Sequence, residues 1–183
     1  MSELSLTLPL TDESTASLRA GDMLRLSGIL YTARDAAHQR LLAELKQGVL
    51  PPVSLKGQVI YYVGPAPAKA GQVIGPAGPT TSGRMDPYTL PLLEMGVKGF
   101  IGKGYRSAEI KEALVHHCAV YLAAIGGAAA LIARHIKESR VVAYKDLGPE
   151  AIHELLVEDF PVIVVNDTFG GDAYKIGRTR YTN

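Results

Sequence analysis

Residues 78–88, GPTTSGRMDPY, combine two glycines, two prolines and three adjacent hydroxyl side chains with one arginine and one aspartate. The stretch has too few apolar side chains for the core and more hydrogen-bonding groups than an ordinary turn needs. The sequence that follows, DPYTLPLLEMG, predicts a short helix with Asp86 as N-cap, Pro87 at the first helical position and Gly96 beyond the last turn. Residues 80–83 therefore lead into a helix N-terminus, where unpaired N–H groups and the helix dipole favour an anion.

The side chains of this loop suit an anion that carries a carboxylate or a phosphate. Arg84 contributes a guanidinium fork that matches either group, while Thr80, Thr81, Ser82 and Gly83 supply hydroxyl and backbone donors. The same residues fit a simpler interpretation, in which the hydroxyls cap the helix and Arg84 is a solvated surface charge. The loop alone leaves both interpretations open.

The chain on either side of the loop alternates between strand and helix patterns. Apolar residues partly alternate from Met23 to Thr32, as in a strand, and then recur at helical spacing from Ala36 to Leu45, with Asp35 as N-cap. Further strand patterns are GQVIYYVGP, VKGFIGKG, AVYLAA, VVAY and FPVIVV, and further helix patterns are SAEIKEALVHH and AAALIARHIKES. The middle alternates β and α, whereas both ends favour β. The sequence predicts one α/β domain over residues 1–183, with a mixed sheet and flanking helices.

Two other segments have distinctive composition. Gly64 to Gly83 is dense in Gly, Pro and Ala, and a long irregular stretch inside a compact domain is more often functional than a linker. The uncharged run Cys118–Ala133 is shorter than the roughly 20 residues of a membrane helix. It predicts a buried strand, a turn at Gly126-Gly127 and a helix, with no membrane span.

The composition excludes several functional classes. The 183 residues are 47% hydrophobic and 20% charged, with a net charge of +1, as in a globular protein without a nucleic-acid or membrane surface. Lysines and arginines form no basic stripe, so no nucleic-acid partner is expected. The lone cysteine, Cys118, permits neither an intrachain disulfide nor a cysteine-ligated cluster held by this chain alone. With no signal-peptide pattern at the N-terminus, the sequence predicts a cytoplasmic protein.

Three cations follow predicted strands. Arg34 lies where the first strand gives way to a helix, and Lys103 lies between two glycines just after the strand VKGFIG. With Arg84, they form a set at the carboxyl ends of strands, where open α/β sheets bind ligands. We expect them to converge on a small ligand with at least two negative charges. Each could instead be an isolated surface charge.

Other candidates carry less chemistry. His38 lies one helical turn from Asp35 and could fix the local geometry. His116 and His117 have no carboxylate or cysteine at metal-ligand spacing, so packing or exposure is the better interpretation. The chain has no nucleophile elbow and no phosphate-binding GKS or GKT sequence.

Four segments together resemble a known family. They are GDMLRLSGILYTARDAAHQR, GPAGPTTSGRMDPYTLPLLEMGVKGFIGKG, VYLAAIGGAAALIA and LVEDFPVIVVND, and they extend from about Gly21 to Asp167. They are similar to the C-terminal domain of the iron–sulfur-dependent class I fumarate hydratases, which is a separate β subunit in two-subunit members. The β subunits of L(+)-tartrate dehydratases are close relatives. TTSGRMDPYT followed closely by GKG is the most specific part of the likeness.

This resemblance implies a swivelling domain of the β/β/α type. It also implies an enzyme whose active site is divided between this chain and a partner domain or subunit. In the family, a partner domain or α subunit carries a [4Fe-4S] cluster on three cysteines, with one iron open to the substrate. This chain has one cysteine and would bind no cofactor itself. The resemblance thus implies a hydro-lyase that interconverts malate and fumarate together with an α subunit. A hetero-oligomer is expected, or a homodimer when the chain is isolated.

The resemblance also implies roles for individual residues. Arg34, Arg84 and Lys103 would bind the carboxylates of the substrate, and Thr80 matches the position proposed as catalytic base. A neutral threonine is a poor base, so Thr80 would need nearby cations to stabilise its alkoxide, or would relay a proton. Thr81, Ser82, Gly83, Asp35 and His38 would support the site.

Alternative functions remain open at this point. An L(+)-tartrate dehydratase β subunit would differ by one substrate hydroxyl, and no residue distinguishes the two. A stand-alone dicarboxylate-binding module without catalysis is a second alternative. A purely structural scaffold fits the converging cations less well.

Overall fold

The computed structural model describes residues 3–124 and 129–181. Its strands are β1 (Glu3–Thr7), β2 (Met23–Thr32), β3 (Val59–Tyr61), β4 (Gly99–Gly102), β5 (Val120–Ala123), β6 (Ile136–Ala143) and β7 (Ile152–Asn166). Its α-helices are α1 (Asp12–Ala16), α2 (Asp35–Lys46), α3 (Asp86–Glu94), α4 (Ala108–His116), α5 (Ala129–Ala133) and α6 (Ala173–Tyr181). Short 3-10 helices cover Ser82–Met85 and Lys145–Glu150.

The strands form one mixed sheet that closes on itself. The order is β1-β2-β3-β4-β5-β7-β6, and β7 pairs with β2 as well. Strands β2 to β5 run parallel, whereas β7 is antiparallel to both β2 and β5, so these five strands make a ring. The predicted mixed sheet with flanking helices is confirmed, and the closed ring is compatible with the swivelling β/β/α type.

Successive side chains of the short central strands point to opposite faces of the sheet, where they join two separate hydrophobic clusters. Tyr61, Ile101 and Leu122 belong to a cluster on the face turned away from helices α2 to α4. Their neighbours Tyr62 and Phe100 belong to a second cluster, which these helices cover. Because every residue of β3 and β4 is buried, these strands appear in the sequence as continuous apolar runs.

Some predicted boundaries are wrong, and the sheet explains the largest error. The helix predicted over AAALIARHIKES ends at Ala133, since Ile136–Ala143 pairs with β7 as strand β6. The C-terminal end is the helix α6 rather than β structure. The turn predicted at Gly126-Gly127 lies outside the described residues.

Two predicted N-caps are displaced by one residue. Arg34 and Met85 occupy the N-cap positions of α2 and α3, and the next residue in each case is the first of the helix. The two carboxylates have other partners: Asp35 binds Arg84, and Asp86 accepts from the backbone of Ser107. Tertiary contacts therefore take these side chains away from capping.

Among the described residues, no helix combines the length and the apolar character needed to cross a membrane. The expectation of one domain over residues 1–183 stays a prediction.

Candidate active site

The carboxyl edge of the parallel strands collects the loop 80–84 and the two other cations. Arg34 follows β2 and Lys103 follows β4, while the loop arrives from the end of β3. The Thr80 N–H donates to the Tyr62 carbonyl at 2.7 Å, and the Lys103 N–H donates to the Thr80 carbonyl at 3.2 Å. The Ser82 N–H donates to the Lys103 carbonyl at 2.8 Å. The loop therefore lies hydrogen-bonded between the ends of β3 and β4.

Asp35 brings the two arginines together. Arg84 Nη2 donates to Asp35 Oδ2 at 2.8 Å, and Arg34 Nε lies 4.0 Å from the same oxygen. Arg34 Nη2 also lies 3.3 Å from Glu150 Oε1, which holds the far side of its guanidinium. Half of the Arg84 side chain surface is exposed, so its remaining donors face solvent.

Arg34 packs closely against a glycine. A Cβ atom at Gly64, just beyond β3, would lie 2.8 Å from Arg34 Nη1 and 3.2 Å from the Pro149 carbonyl oxygen. The guanidinium thus lies against bare backbone, between Gly64 and the 3-10 helix Lys145–Glu150. This contact explains why the irregular stretch after β3 begins with glycine.

Lys103 presents a free ammonium at the same edge. Its side chain is exposed, and no residue in 3–124 or 129–181 gives it a hydrogen bond or an ion pair. Its backbone, by contrast, is fixed by the bridge to Thr81. The structure therefore brings Arg34, Arg84, Lys103 and Thr80 to one edge of the sheet.

The motifs TTSGR and GKG fit each other physically. A Cβ atom at Gly102 would overlap Ser82 Oγ, so the first glycine of GKG makes room for the serine of TTSGR. Ser82 is buried, and the Tyr121 hydroxyl lies 2.9 Å from its Oγ and 2.9 Å from the Gly104 carbonyl oxygen. Burial raises the pKa of Tyr121, so the phenol stays neutral. Gly104, with φ +83°, makes the turn that a side chain would strain.

Arg106 is the residue that sequence reasoning missed. Its side chain is fully buried, with Nε 2.7 Å from Asp86 Oδ1. Burial acts to lower the pKa of Arg106, but Tyr62 and Asp86 outweigh burial and hold that pKa above its ordinary value. An arginine in a sequence usually indicates an exposed position. The neighbouring residues, Tyr105 and Ser107, do not indicate that Arg106 is covered by aromatic rings. Only tertiary structure reveals it.

His38 is fully buried in α2, one helical turn after Arg34. Its Nδ1 is 2.8 Å from the Arg34 carbonyl oxygen, and its ring stacks on Tyr88 and meets the edge of Tyr62. Burial lowers the pKa of His38 to about 4, although the Arg34 carbonyl and Asp35 act in the opposite direction. The imidazole is therefore neutral at pH 7 and donates from Nδ1 to the backbone that carries Arg34.

The described residues do not fit a metal cluster. Within 3–124 and 129–181, no group of three His, Cys, Asp or Glu side chains could hold a metal ion. Cys118 carries a free thiol, and the sequence has no other cysteine to join it. A cluster with three cysteine ligands cannot be assembled on this chain alone.

A family model described as the fumarase C-terminus matches residues 1–177. The chain belongs to the fumarase C-terminal family. Its sequence is 41% identical over 155 residues to the anaerobic class I fumarate hydratase of Escherichia coli (strain K12), which covers 83% of this chain. It is 40% identical over 158 residues to fumarate hydratase 2 of Leishmania major, which covers 85% of this chain.

The fumarase C-terminal family also includes shorter relatives. A Methanocaldococcus jannaschii protein, provisionally named L(+)-tartrate dehydratase subunit beta, is 37% identical over 172 residues, covering 91% of this chain. The match spans 88% of that protein but 28% of each of the two fumarate hydratases. The chain thus matches most of the length of the M. jannaschii protein and a minor part of each fumarate hydratase.

Proposed function

We propose that this chain is the β subunit of a hydro-lyase that dehydrates malate reversibly to fumarate. The observation that carries the proposal is the meeting of Arg34 and Arg84 at one carboxylate, Asp35, at the sheet edge where the exposed Lys103 also lies. Membership of the fumarase C-terminal family supports the reaction class. The chain would supply the cationic half of the site, and an α subunit would supply the rest.

The proposed chemistry requires cations at this edge. Dehydration of malate removes a proton from the carbon next to a carboxylate, and negative charge builds up on that carboxylate as the proton leaves. Guanidinium and ammonium groups fixed in advance stabilise this charge at little reorganisation cost. Holding both carboxylates also fixes which hydrogen faces the base. Arg34, Arg84 and Lys103 would do both.

Thr80 would move the proton. Its backbone is held on both sides, by Tyr62 and by Lys103, and its side chain is half-buried at the edge that carries the cations. Neighbouring positive charges favour a threonine alkoxide, which an isolated hydroxyl would not form near neutral pH. Alternatively, the hydroxyl would relay the proton to solvent.

The partner and the compartment are parts of the same proposal. The resemblance implies a [4Fe-4S] cluster in the α subunit, and the donor set of this chain leaves that cluster to the partner. A chain with one cysteine is suited to a reducing compartment, for which we propose the cytoplasm.

An L(+)-tartrate dehydratase β subunit is the second candidate. The name of the M. jannaschii relative, L(+)-tartrate dehydratase subunit beta, supports it, since that protein is 37% identical to this chain over 172 residues. Tartrate differs from malate by one hydroxyl, and both acids carry the two carboxylates that these cations would bind. The two functions therefore share the same carboxylate-binding residues.

Purification of the chain alone and with an iron–sulfur α subunit, both under anaerobic conditions, tests the proposal. We expect no turnover by the chain alone, and dehydration of malate, or of L(+)-tartrate, once the α subunit is added. A higher kcat/KM for tartrate would select the second candidate. Failure to bind any α subunit, together with binding of dicarboxylate by the chain alone, would instead indicate a stand-alone binding module.

A further inference from the structure

A buried guanidinium lies beneath the loop that carries Thr80 and Arg84. Arg106 is 4% exposed and lies within 6 Å of three aromatic rings, with its carbon Cζ 5.5 Å from the centre of Tyr62 and 5.3 Å from that of Tyr121. A charge taken out of water is costly unless its donors are paired. Its partners therefore show what this charge holds in place.

The three arms of the guanidinium reach three separate points. Nη1 donates to the Tyr62 hydroxyl at 3.0 Å, and Nη2 donates to Thr89 Oγ1 at 2.5 Å. Nε lies 2.7 Å from Asp86 Oδ1, whose second oxygen accepts from the Ser107 N–H at 2.8 Å. The guanidinium thus makes two hydrogen bonds, to Tyr62 and Thr89, and one ion pair, to Asp86, and its planar fork is suited to partners in such different directions.

These acceptors are the anchor points of the active-site loop. Tyr62 holds Thr80 through its backbone carbonyl, so it fixes the beginning of the loop. Asp86 begins α3 directly after the 3-10 helix that contains Arg84. Thr89 Oγ1 also donates to the Met85 carbonyl at 2.9 Å. One side chain thus ties both ends of residues 80–86 to the same point.

We propose that Arg106 is a positioning residue, which sets the distance between Thr80 and Arg84 for the bound dicarboxylate. The proposal rests on the proposed function, because it concerns the same site. Arg106 is covered by the core and does not touch the substrate. It acts through the backbone of the loop, and loss of its fork lets the two ends of the loop move independently.

Steady-state kinetics of Arg106→Lys in the assembled enzyme test this role. The lysine keeps the charge, but its ammonium does not reproduce the fork that reaches Tyr62, Thr89 and Asp86, so we expect kcat/KM to fall about a hundredfold, with changes in both kcat and KM. The matched control is Arg40→Lys on α2, which alters an exposed two-pronged pair with Asp146 of the 3-10 helix Lys145–Glu150 and should leave both constants unchanged. Wild-type constants per folded Arg106→Lys molecule would overturn the proposal.

The Thr89 hydroxyl provides a milder test if Arg106→Lys fails to fold. Thr89→Val removes the acceptor of Nη2 and preserves the shape of the side chain, whereas Thr89→Ser retains the hydroxyl. We expect a lower kcat/KM in Thr89→Val and recovery in Thr89→Ser. Equal kcat/KM values in the two variants, measured per folded molecule, would show that the contact only stabilises the core and would overturn the proposal.

Hydrogen exchange on the full chain separates this proposal from the proposed function. In Arg106→Lys the amides of Thr80 and Ser107 should exchange about tenfold faster, because their acceptors, on Tyr62 and Asp86, lose their contact with the guanidinium. The amide of Val164, which donates to the distant Asp22 carbonyl, should be unchanged. This measurement needs no turnover, so it remains decisive even if the assembled protein is not a hydro-lyase. Unchanged exchange at both of these amides would refute the positioning role.

Discussion

Arg84 exemplifies a side chain whose loss should affect chemistry more than folding. Half of its surface is exposed, and its ion pair with Asp35 is of the exposed kind that contributes little to stability. The donors that Asp35 leaves unused are available to a ligand carboxylate.

We therefore predict that Arg84→Ala abolishes turnover in the assembled enzyme, with a fall of at least about a hundredfold in kcat. The free energy of unfolding should change by no more than about 0.5 kcal/mol, since the side chain packs little of the core. Arg84→Lys should also fail largely, because an ammonium does not reproduce the fork. A markedly lower unfolding temperature in Arg84→Ala would count against the assignment.

His38 predicts how stability depends on pH. Its pKa is about 4 in the folded protein because of burial, against an ordinary value of 6.5. As pH falls below 6.5, the unfolded chain binds the proton first, so the free energy of unfolding decreases until pH reaches about 4. By pH 5 the loss from this residue should be about 2 kcal/mol.

Denaturant unfolding of the wild type and of His38→Phe at pH 7 and pH 5 checks this value. The phenylalanine keeps a ring against Tyr88 and Tyr62 but cannot titrate, so the variant should lose less stability on acidification. His153, whose pKa burial also lowers, contributes equally to both proteins and cancels. Identical pH dependence in the two proteins would contradict the prediction.

At the scale of elements, the motifs TTSGR and GKG pack directly against each other. Ser82 of the 3-10 helix occupies the space that Gly102 of β4 leaves open, and the Tyr121 hydroxyl fixes it there. Gly102→Ala would push its Cβ into Ser82 Oγ, Tyr62 and the Thr80 carbonyl oxygen. We predict a destabilisation of about 1–3 kcal/mol, as for other overpacked sites.

A double-mutant cycle with Ser82→Gly tests the fit. Removing the serine side chain should recover part of the stability that Gly102→Ala loses, giving a coupling of about 1 kcal/mol between the two positions. Gly177→Ala in α6 is the control, because a Cβ atom there meets no other atom within 4 Å. Strict additivity of Gly102→Ala and Ser82→Gly would mean that the motifs do not depend on each other.

Strands and helices with a clear apolar periodicity in their own sequence were predictable. Those whose structure depends on pairing with a distant strand were not. The predicted segments of β2 and α2 agree with the structure to within about a residue, since each has apolar residues at the spacing of its own element. Residues 136–143 carry enough helix-forming residues to continue α5, but β7 offers them an edge to pair with. Pairing with a distant strand leaves no mark in the local pattern.

At the scale of the whole molecule, the proposed division of the active site between two subunits predicts which subunit is sensitive to oxygen. If the cluster lies in the α subunit, air should inactivate the assembled enzyme by damaging the partner, since this chain has no metal-binding group among its described residues. Mixing air-exposed β subunit with fresh α subunit should restore activity, and the reverse mixture should not. Recovery that requires fresh β subunit would place the sensitive group on this chain.

The amino-acid sequence by itself determined the mixed α/β class, the family and the residues Arg34, Thr80, Arg84 and Lys103 as candidates. It could do so because these features depend on local periodicity and on short motifs whose residue types have few other uses. Only the tertiary structure decided that Asp35 joins the two arginines, that Ser82 fits over Gly102 and that Arg106 is buried. These relations join residues far apart in the chain, and their energies come from burial and from hydrogen-bond directions that exist only after the ring of strands has closed.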